Sequence, residues 1–227
     1  MDIEKYLKFN GKEISEKFET FKNALIEKNK KFNLTSITDE KEIYIKHFSD
    51  SIEGEKFIEK NSSVVEIGSG GGFPSVPLKI VRDDLNFSLI ESTGKKCAFL
   101  NEIKTLLGFK NFEIFNGRCE DLAKKSLFRE KFDVCVARAV AELRTLAEYC
   151  LPLVKKGGIF IAYKGDVEEE IIKAENAIKI LGGKIRETNA YSLPENYGKR
   201  TLVIIEKNNE TPDKYPRGNG KERSKPL

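Results

Sequence analysis

The residues from Glu66 to Pro74, Glu-Ile-Gly-Ser-Gly-Gly-Gly-Phe-Pro, follow the apolar pair Val64-Val65 and carry the strongest chemical signal in the chain. Glycines let the backbone turn with positive φ and approach a ligand with no Cβ in the way. A loop of this kind between a strand and a helix lies at the carboxyl edge of an open α/β sheet, where ligands bind. Glu91 ends the next apolar segment, 23 positions after Gly68. A carboxylate placed there can accept both hydroxyls of a ribose. The pattern predicts a small nucleotide-like ligand. It is not a dinucleotide fingerprint, because G-x-G-x-x-G begun at Gly68 or Gly70 ends on Phe73 or Ser75. It is not a Walker A loop, because no Gly-Lys-Ser/Thr is present. Cys119 and Glu120 follow the third strand segment, where an adenine edge would lie. Glu120 either pairs with an adenine amino group or caps a helix. Arg138 ends the fourth strand segment and faces the ligand crevice, with a surface ion pair as its plainer role.

Other chemistries have little support. The cysteines at 97, 119, 135 and 150 form no C-x-x-C pair, and His47 is the only histidine. Zinc-ligand spacing is absent, so no metal site is expected. Nothing near His47 resembles a nucleophile turn. Cysteines inside apolar runs, such as Cys135 between Val134 and Val136, read as buried small residues in a reducing compartment.

The elements that position these residues follow from hydrophobic periodicity. Ile14, Phe18, Phe21, Leu25 and Ile26 make one helical stripe. Thr38-Asp39-Glu40 reads as a helix start before Ile43, Tyr44, Phe48 and Ile52. From Ser63 onward strand and helix patterns alternate, with strands near 64–67, 87–91, 112–115, 132–136 and 158–163. Helices fall near 77–81, 96–107, 143–151 and 166–181, and 184–191 and 200–206 close the sheet as an antiparallel pair. Such alternation implies βαβ units with right-handed crossovers. The expected fold is α/β: a mostly parallel seven-stranded sheet with helices on both faces and an N-terminal helical lobe. The expected division is a lobe over 1–62, a ligand-binding core over 63–207, and a tail over 208–227. That tail lacks apolar periodicity and is rich in Pro, Gly and charge, which predicts flexibility.

Composition is consistent with a globular chain. The 227 residues are 39% hydrophobic and 33% charged, with a formal net charge of +4. A nearly balanced charge argues against disorder of the whole chain. All nine arginines lie at or beyond Arg82, and residues 207–227 carry 6 basic and 3 acidic groups. A mildly basic protein is compatible with nucleic acid, but the total does not establish it. The start, Met1 to Lys5, is acidic and amphipathic and lacks the pattern of a signal peptide. No apolar run reaches membrane-spanning length. A cytoplasmic, monomeric protein is expected, with no membrane partner.

The spacing E-x-G-x-G-x-G from Glu66 to Gly72 resembles motif I of the class I, Rossmann-like methyltransferases, which bind S-adenosylmethionine. Other segments are more specific. The chain resembles the bacterial small-subunit rRNA guanine-N7 methyltransferases, also called glucose-inhibited division protein B. The resemblance runs through Lys31-Phe32-Asn33-Leu34-Thr35-Ser36-Ile37, His47-Phe48-Ser49-Asp50-Ser51, the glycine loop as far as Pro77, and Glu91-Ser92-Thr93-Gly94-Lys95-Lys96. It continues through Gly117-Arg118-Cys119-Glu120, Ala137-Arg138-Ala139, Tyr163-Lys164-Gly165 and Lys214-Tyr215-Pro216-Arg217. It implies S-adenosyl-L-methionine as cofactor, held by Gly68, Gly70, Gly72, Phe73, Glu91, Ser92, Thr93, Cys119, Glu120 and Arg138, with Arg138 also catalytic. The implied substrate is one guanine of 16S rRNA, in the free RNA or the small ribosomal subunit. Ser75 stands where a glycine is common and Cys119 where an alanine is common. Asn33, Thr35, His47, Asp50 and Ser51 either shape the RNA side or brace the helical lobe, and bracing is the favoured reading. A methyltransferase acting on another RNA, a protein or a small molecule would share the same core.

Overall fold

The central strands carry apolar runs, such as Val64-Val65 and Val134-Cys135-Val136, because both faces of the sheet are covered there. The structure is a computed structural model that describes residues 11–227, so the acidic start at 1–5 lies outside the described residues. The strands are β1 (Ser63–Ile67), β2 (Asn86–Glu91), β3 (Phe112–Asn116), β4 (Phe132–Arg138), β5 (Val154–Lys164), β6 (Gly183–Ser192) and β7 (Lys199–Lys207). They form one sheet in the order β3-β2-β1-β4-β5-β7-β6. The first five are parallel, and β7 runs antiparallel between β5 and β6. Chain order reverses between β1 and β4, so the ligand crevice of this sheet opens at their carboxyl ends. β5 starts four residues earlier than the apolar run at 158 suggests. Val154 pairs with Phe132, Ile159 pairs with Val134, and an irregularity lies between them.

Helix α1 (Lys12–Asn29) buries Phe18, Phe21 and Leu25. A helical segment over 40–52, α2, begins as expected at Asp39, whose Oδ1 accepts the N–H of Glu42 at 2.9 Å. Its middle, Ile43–Ser49, is π-helical, which periodicity at 3.6 residues does not reveal. Helices α3 (Ser75–Val81), α4 (Gly94–Leu106), α5 (Cys119–Leu122), α6 (Leu143–Cys150) and α7 (Glu168–Ile180) connect the strands. One sheet face packs on side chains of α1 to α4, and the other on side chains of α5 to α7. Phe18, Phe21 and Phe48 are fully buried in the same cluster as Val64, Leu89 and Ile161, so the N-terminal helices share their core with the sheet. Each such ring contributes roughly 1.5–3 kcal/mol by leaving water. No helix among the described residues is long and apolar enough to cross a membrane.

The segment over 208–227, expected to be flexible, is instead docked on the core. Tyr215 is buried, its carbonyl accepts from Arg129 Nη1 at 2.8 Å, and a short helix α8 (Lys221–Ser224) follows. Apart from Tyr215 and Leu227, which pack on the core, its anchors are polar bonds to distant residues, so they leave no apolar period to read.

Candidate active site

β1 ends on Ile67, and Gly68 turns the chain with φ +63. Its N–H donates to Ile90 O at 2.8 Å, and an added Cβ would meet Val140 Cγ2 at 2.9 Å. Only glycine fits both the conformation and the space. The Gly70 N–H donates to Glu91 Oε2 at 2.9 Å and the Thr93 N–H to Glu91 Oε1 at 2.7 Å. One carboxylate, 5% exposed, therefore joins the glycine loop to the end of β2.

Gly68, Glu91, Ser92, Thr93, Cys119 and Glu120 line a single crevice of about 240 Å³. Ala139, Val140, Tyr149 and Arg223 line it as well. Gly70 and Gly72 shape the loop behind it rather than lining it. Phe73 is buried and stacks on His47, with ring centroids 4.2 Å apart, while the Arg138 guanidinium carbon sits 4.9 Å from the Phe73 centroid. Arg138 lines a neighbouring cavity of about 310 Å³ with His47, Asp50, Tyr163, Lys164 and Arg200. Ala139 lines both spaces, so the two meet at the β4 end. Tyr149 and Arg223 had no signal in the sequence: Tyr149 sits on an ordinary amphipathic helix, and Arg223 in a segment without pattern.

Arg138 is held firmly. Its Nη1 donates to Asp50 Oδ2 at 2.9 Å and to Lys46 O at 3.2 Å, and its Nη2 to His47 Nδ1 at 2.9 Å. An arginine only donates, so His47 Nδ1 must be the acceptor and Nε2 must carry the proton. Nε2 then donates to Thr35 Oγ1 at 2.7 Å. Burial and the Arg138 charge push the His47 pKa down to about 3, so the ring is neutral. With both nitrogens occupied it is not available as a base. The Ser51 hydroxyl donates to His47 O at 2.6 Å and the Tyr191 hydroxyl to Asp50 Oδ1 at 2.6 Å. Thr35, His47, Asp50 and Ser51 thus belong to one bracing network between α2 and the sheet. The loop carrying Thr35 is pinned by Asn29, whose Oδ1 accepts from the Leu34 and Thr35 N–H groups.

Glu66 is fully buried beneath the loop, and burial pushes its pKa up to about 8 against the pull of the Ser75 hydroxyl and the Arg138 charge. Its carboxyl oxygens make no hydrogen bond of good geometry among the described residues. Below the ordinary value of 4.5 the group is protonated in both folded and unfolded chains. Between 4.5 and about 8 only the unfolded chain has lost the proton, so stability falls as pH rises. The slope is about 1.4 kcal/mol per pH unit. His47 acts oppositely, withdrawing stability as pH falls from 6.5 towards about 3. Glu66→Gln is therefore expected to be near neutral at about pH 4.5 and to gain on the order of 10 °C or more in Tm by about pH 8, at roughly 2–4 °C per kcal/mol. Thermal melts across that range check it, and a pH-independent difference would refute the buried neutral acid.

Comparison with known proteins agrees with this geometry. Residues 14–201 match the family model described as "GidB: rRNA small subunit methyltransferase G". The "Ribosomal RNA small subunit methyltransferase G" of Staphylococcus epidermidis is 46% identical over 215 residues, covering 93% of this chain and 90% of that one. The protein of that name from Lachnoclostridium phytofermentans is 48% identical over 215 residues, covering 93% and 89%. Among solved structures, TYW2 from M. jannaschii in complex with AdoMet aligns with a TM-score of 0.52 at 16% identity, over 69% of this chain and 74% of that one. At that identity the likeness shows a shared fold. The glycine loop clamped by Glu91, the crevice at the β1–β4 switch and the match across nearly the whole chain together place this protein in the rRNA small subunit methyltransferase G family.

Proposed function

We propose that this protein transfers the methyl group of S-adenosylmethionine to N7 of one guanine in 16S rRNA, in the cytoplasm. The observation that carries this reading is the pair of spaces meeting at Ala139, one suited to an adenosyl group and one to a base. Gly68 lines the crevice, and a Cβ there would meet Val140 Cγ2 at 2.9 Å, so the backbone stays bare where the cofactor would approach. Gly68 gives close backbone approach, Glu91 and the Ser92–Thr93 turn suit ribose hydroxyls, and Cys119 and Glu120 suit an adenine edge. When bound, the cofactor supplies an electrophilic methyl group.

The protein's own work is alignment. Guanine N7 has a lone pair and no proton, so transfer needs no general base. A site whose one histidine is neutral and bonded at both nitrogens is adequate for it. Holding donor and acceptor in line contributes roughly 7–11 kcal/mol in such reactions. Arg138 and Lys164 line the second cavity and offer donors to guanine O6 or a phosphate. Lys164 is itself fixed, donating to Ala141 O at 3.0 Å and pairing with Glu170 at 2.6 Å. The N7 edge faces the narrow major groove of A-form RNA, so a loop or splayed guanine is the expected target.

Purified protein, labelled S-adenosylmethionine and small-subunit RNA, both free and in ribosomal particles, should give label in RNA. Borohydride and aniline should then cleave the strand at a single guanine, because N7 methylation labilises that base. Label in protein, or none in any form of the RNA, would overturn the proposal.

A further inference from the structure

The docked C-terminal segment reaches the cofactor crevice, and its mooring is built from buried groups. Glu148 on α6 is 1% exposed and takes a two-point contact from Arg217, with Nε to Oε1 at 2.9 Å and Nη2 to Oε2 at 2.7 Å. The Thr145 hydroxyl donates to Glu222 O at 2.9 Å, and the Gly218 N–H donates to the buried Glu222 carboxylate. These contacts hold α8 against α6. The residue after Glu222 is Arg223, which is exposed and lines the crevice with Tyr149, Cys119 and Glu120. Its Nη2 donates to Val140 O at 3.4 Å, the residue whose side chain covers Gly68.

We propose that Arg223 is a cofactor-binding residue, its guanidinium lying on the purine face of the adenosyl group. This rests on the crevice being the cofactor site. Position within the crevice favours the purine. Tyr149, beside which the Arg223 head group stands, interacts electrostatically with Glu120 and Cys119, the adenine end of the crevice. Glu91 and Thr93, the ribose end, lie at and just beyond the β2 terminus. A guanidinium is planar and weakly hydrated, and it stacks on aromatic faces where an ammonium does not. The segment thereby couples docking of the chain end to cofactor affinity.

The test is calorimetric titration of wild type, Arg223→Ala and Arg223→Lys with S-adenosylmethionine, S-adenosylhomocysteine and 5′-methylthioadenosine, alongside thermal melts. Arg223 is exposed, and its contacts are the Tyr149 side chain and a long one to Val140 O at 3.4 Å, so Tm should stay close to that of the wild type. The expected result is a roughly tenfold weaker Kd for Arg223→Ala with all three ligands, and a partial recovery for Arg223→Lys. A uniform loss points to the adenosine that all three share, and an equal loss with free adenine as a fourth ligand assigns the contact to the purine, whereas adenine binding unchanged overturns it. A loss confined to the two ligands bearing the amino-acid carboxylate overturns the purine contact, and so does unchanged affinity for all three. Weaker binding that tracks an equal fall in Tm across both variants assigns Arg223 to the scaffold and also overturns it. A wild-type chain that binds none of the three overturns the crevice assignment itself, and this proposal with it.

Discussion

Arg138→Ala is expected to cost about 3–5 kcal/mol of folding stability, because it leaves a buried carboxylate without its cation. Asp50 has 5% side-chain exposure, and Arg138 with 12% is its closest positive partner at 2.9 Å. Arg200 approaches the same carboxyl only to 3.9 Å, too far to replace it. The loss of Arg138 also frees His47 Nδ1 from its donor and uncovers one face of Phe73. Urea denaturation of the single variant measures this cost, and a stability equal to wild type would refute it. The double variant Arg138→Met, Asp50→Asn separates scaffold from chemistry. Methionine fills the stem volume, and asparagine still accepts from Tyr191, so most of the stability should return. Methyl transfer should not return, because the cation that lines the second cavity, with the N–H groups its scaffold contacts leave over, is gone. Recovery of turnover along with stability would make Arg138 a brace and nothing more.

How much of this was legible in the sequence depends on the range over which each residue acts. The glycine loop and Glu91 were readable because their chemistry is local: a positive-φ turn after a strand, and a carboxylate at the next strand end. The alternation of strand and helix from Ser63 was readable because each element buries a regular face. Asp39 as a cap was readable because it acts three residues ahead. The placement of Arg138 in the cavity beside the Glu91 crevice was not, since which side of the β4 end a side chain takes depends on Asp50 and His47, some ninety positions away. Tyr149 and Arg223 were hidden for the same reason. The π-helical turn at Ile43–Ser49 breaks the period by which helices are read, and it sits where His47 and Asp50 must both face the sheet. The docked tail shows the limit most plainly: low periodicity marks the absence of an apolar face, whereas Arg217 and Glu222 fix this segment by polar contacts to α6.

Replacing Glu91 should produce the largest loss of cofactor affinity. The carboxylate has two tasks that share its oxygens. Oε1 accepts the Thr93 N–H and Oε2 accepts the Gly70 N–H, which sets the distance between loop and strand end. Each oxygen keeps acceptor capacity beyond these bonds, and Glu91 lines the crevice, where ribose hydroxyls would donate. Hydrogen bonds to a charged group contribute about 1.5–3 kcal/mol each, so losing two predicts a Kd weaker by roughly a hundredfold or more in Glu91→Ala. Glu91→Gln is the sharper variant. It keeps the shape, but its amide nitrogen must point at one of two backbone N–H donors, turning an attraction into a clash of donors. It should therefore bind nearly as poorly as alanine, although it is nearly isosteric. Aspartate, one methylene shorter, can keep the charge yet cannot reach both N–H groups at once. Titration with S-adenosylhomocysteine ranks the three, with melts confirming that each variant is folded. A glutamine variant that binds like wild type would mean that neither the clamp nor the ribose contact depends on the carboxylate, and the cofactor would have to sit elsewhere along the β1–β4 edge.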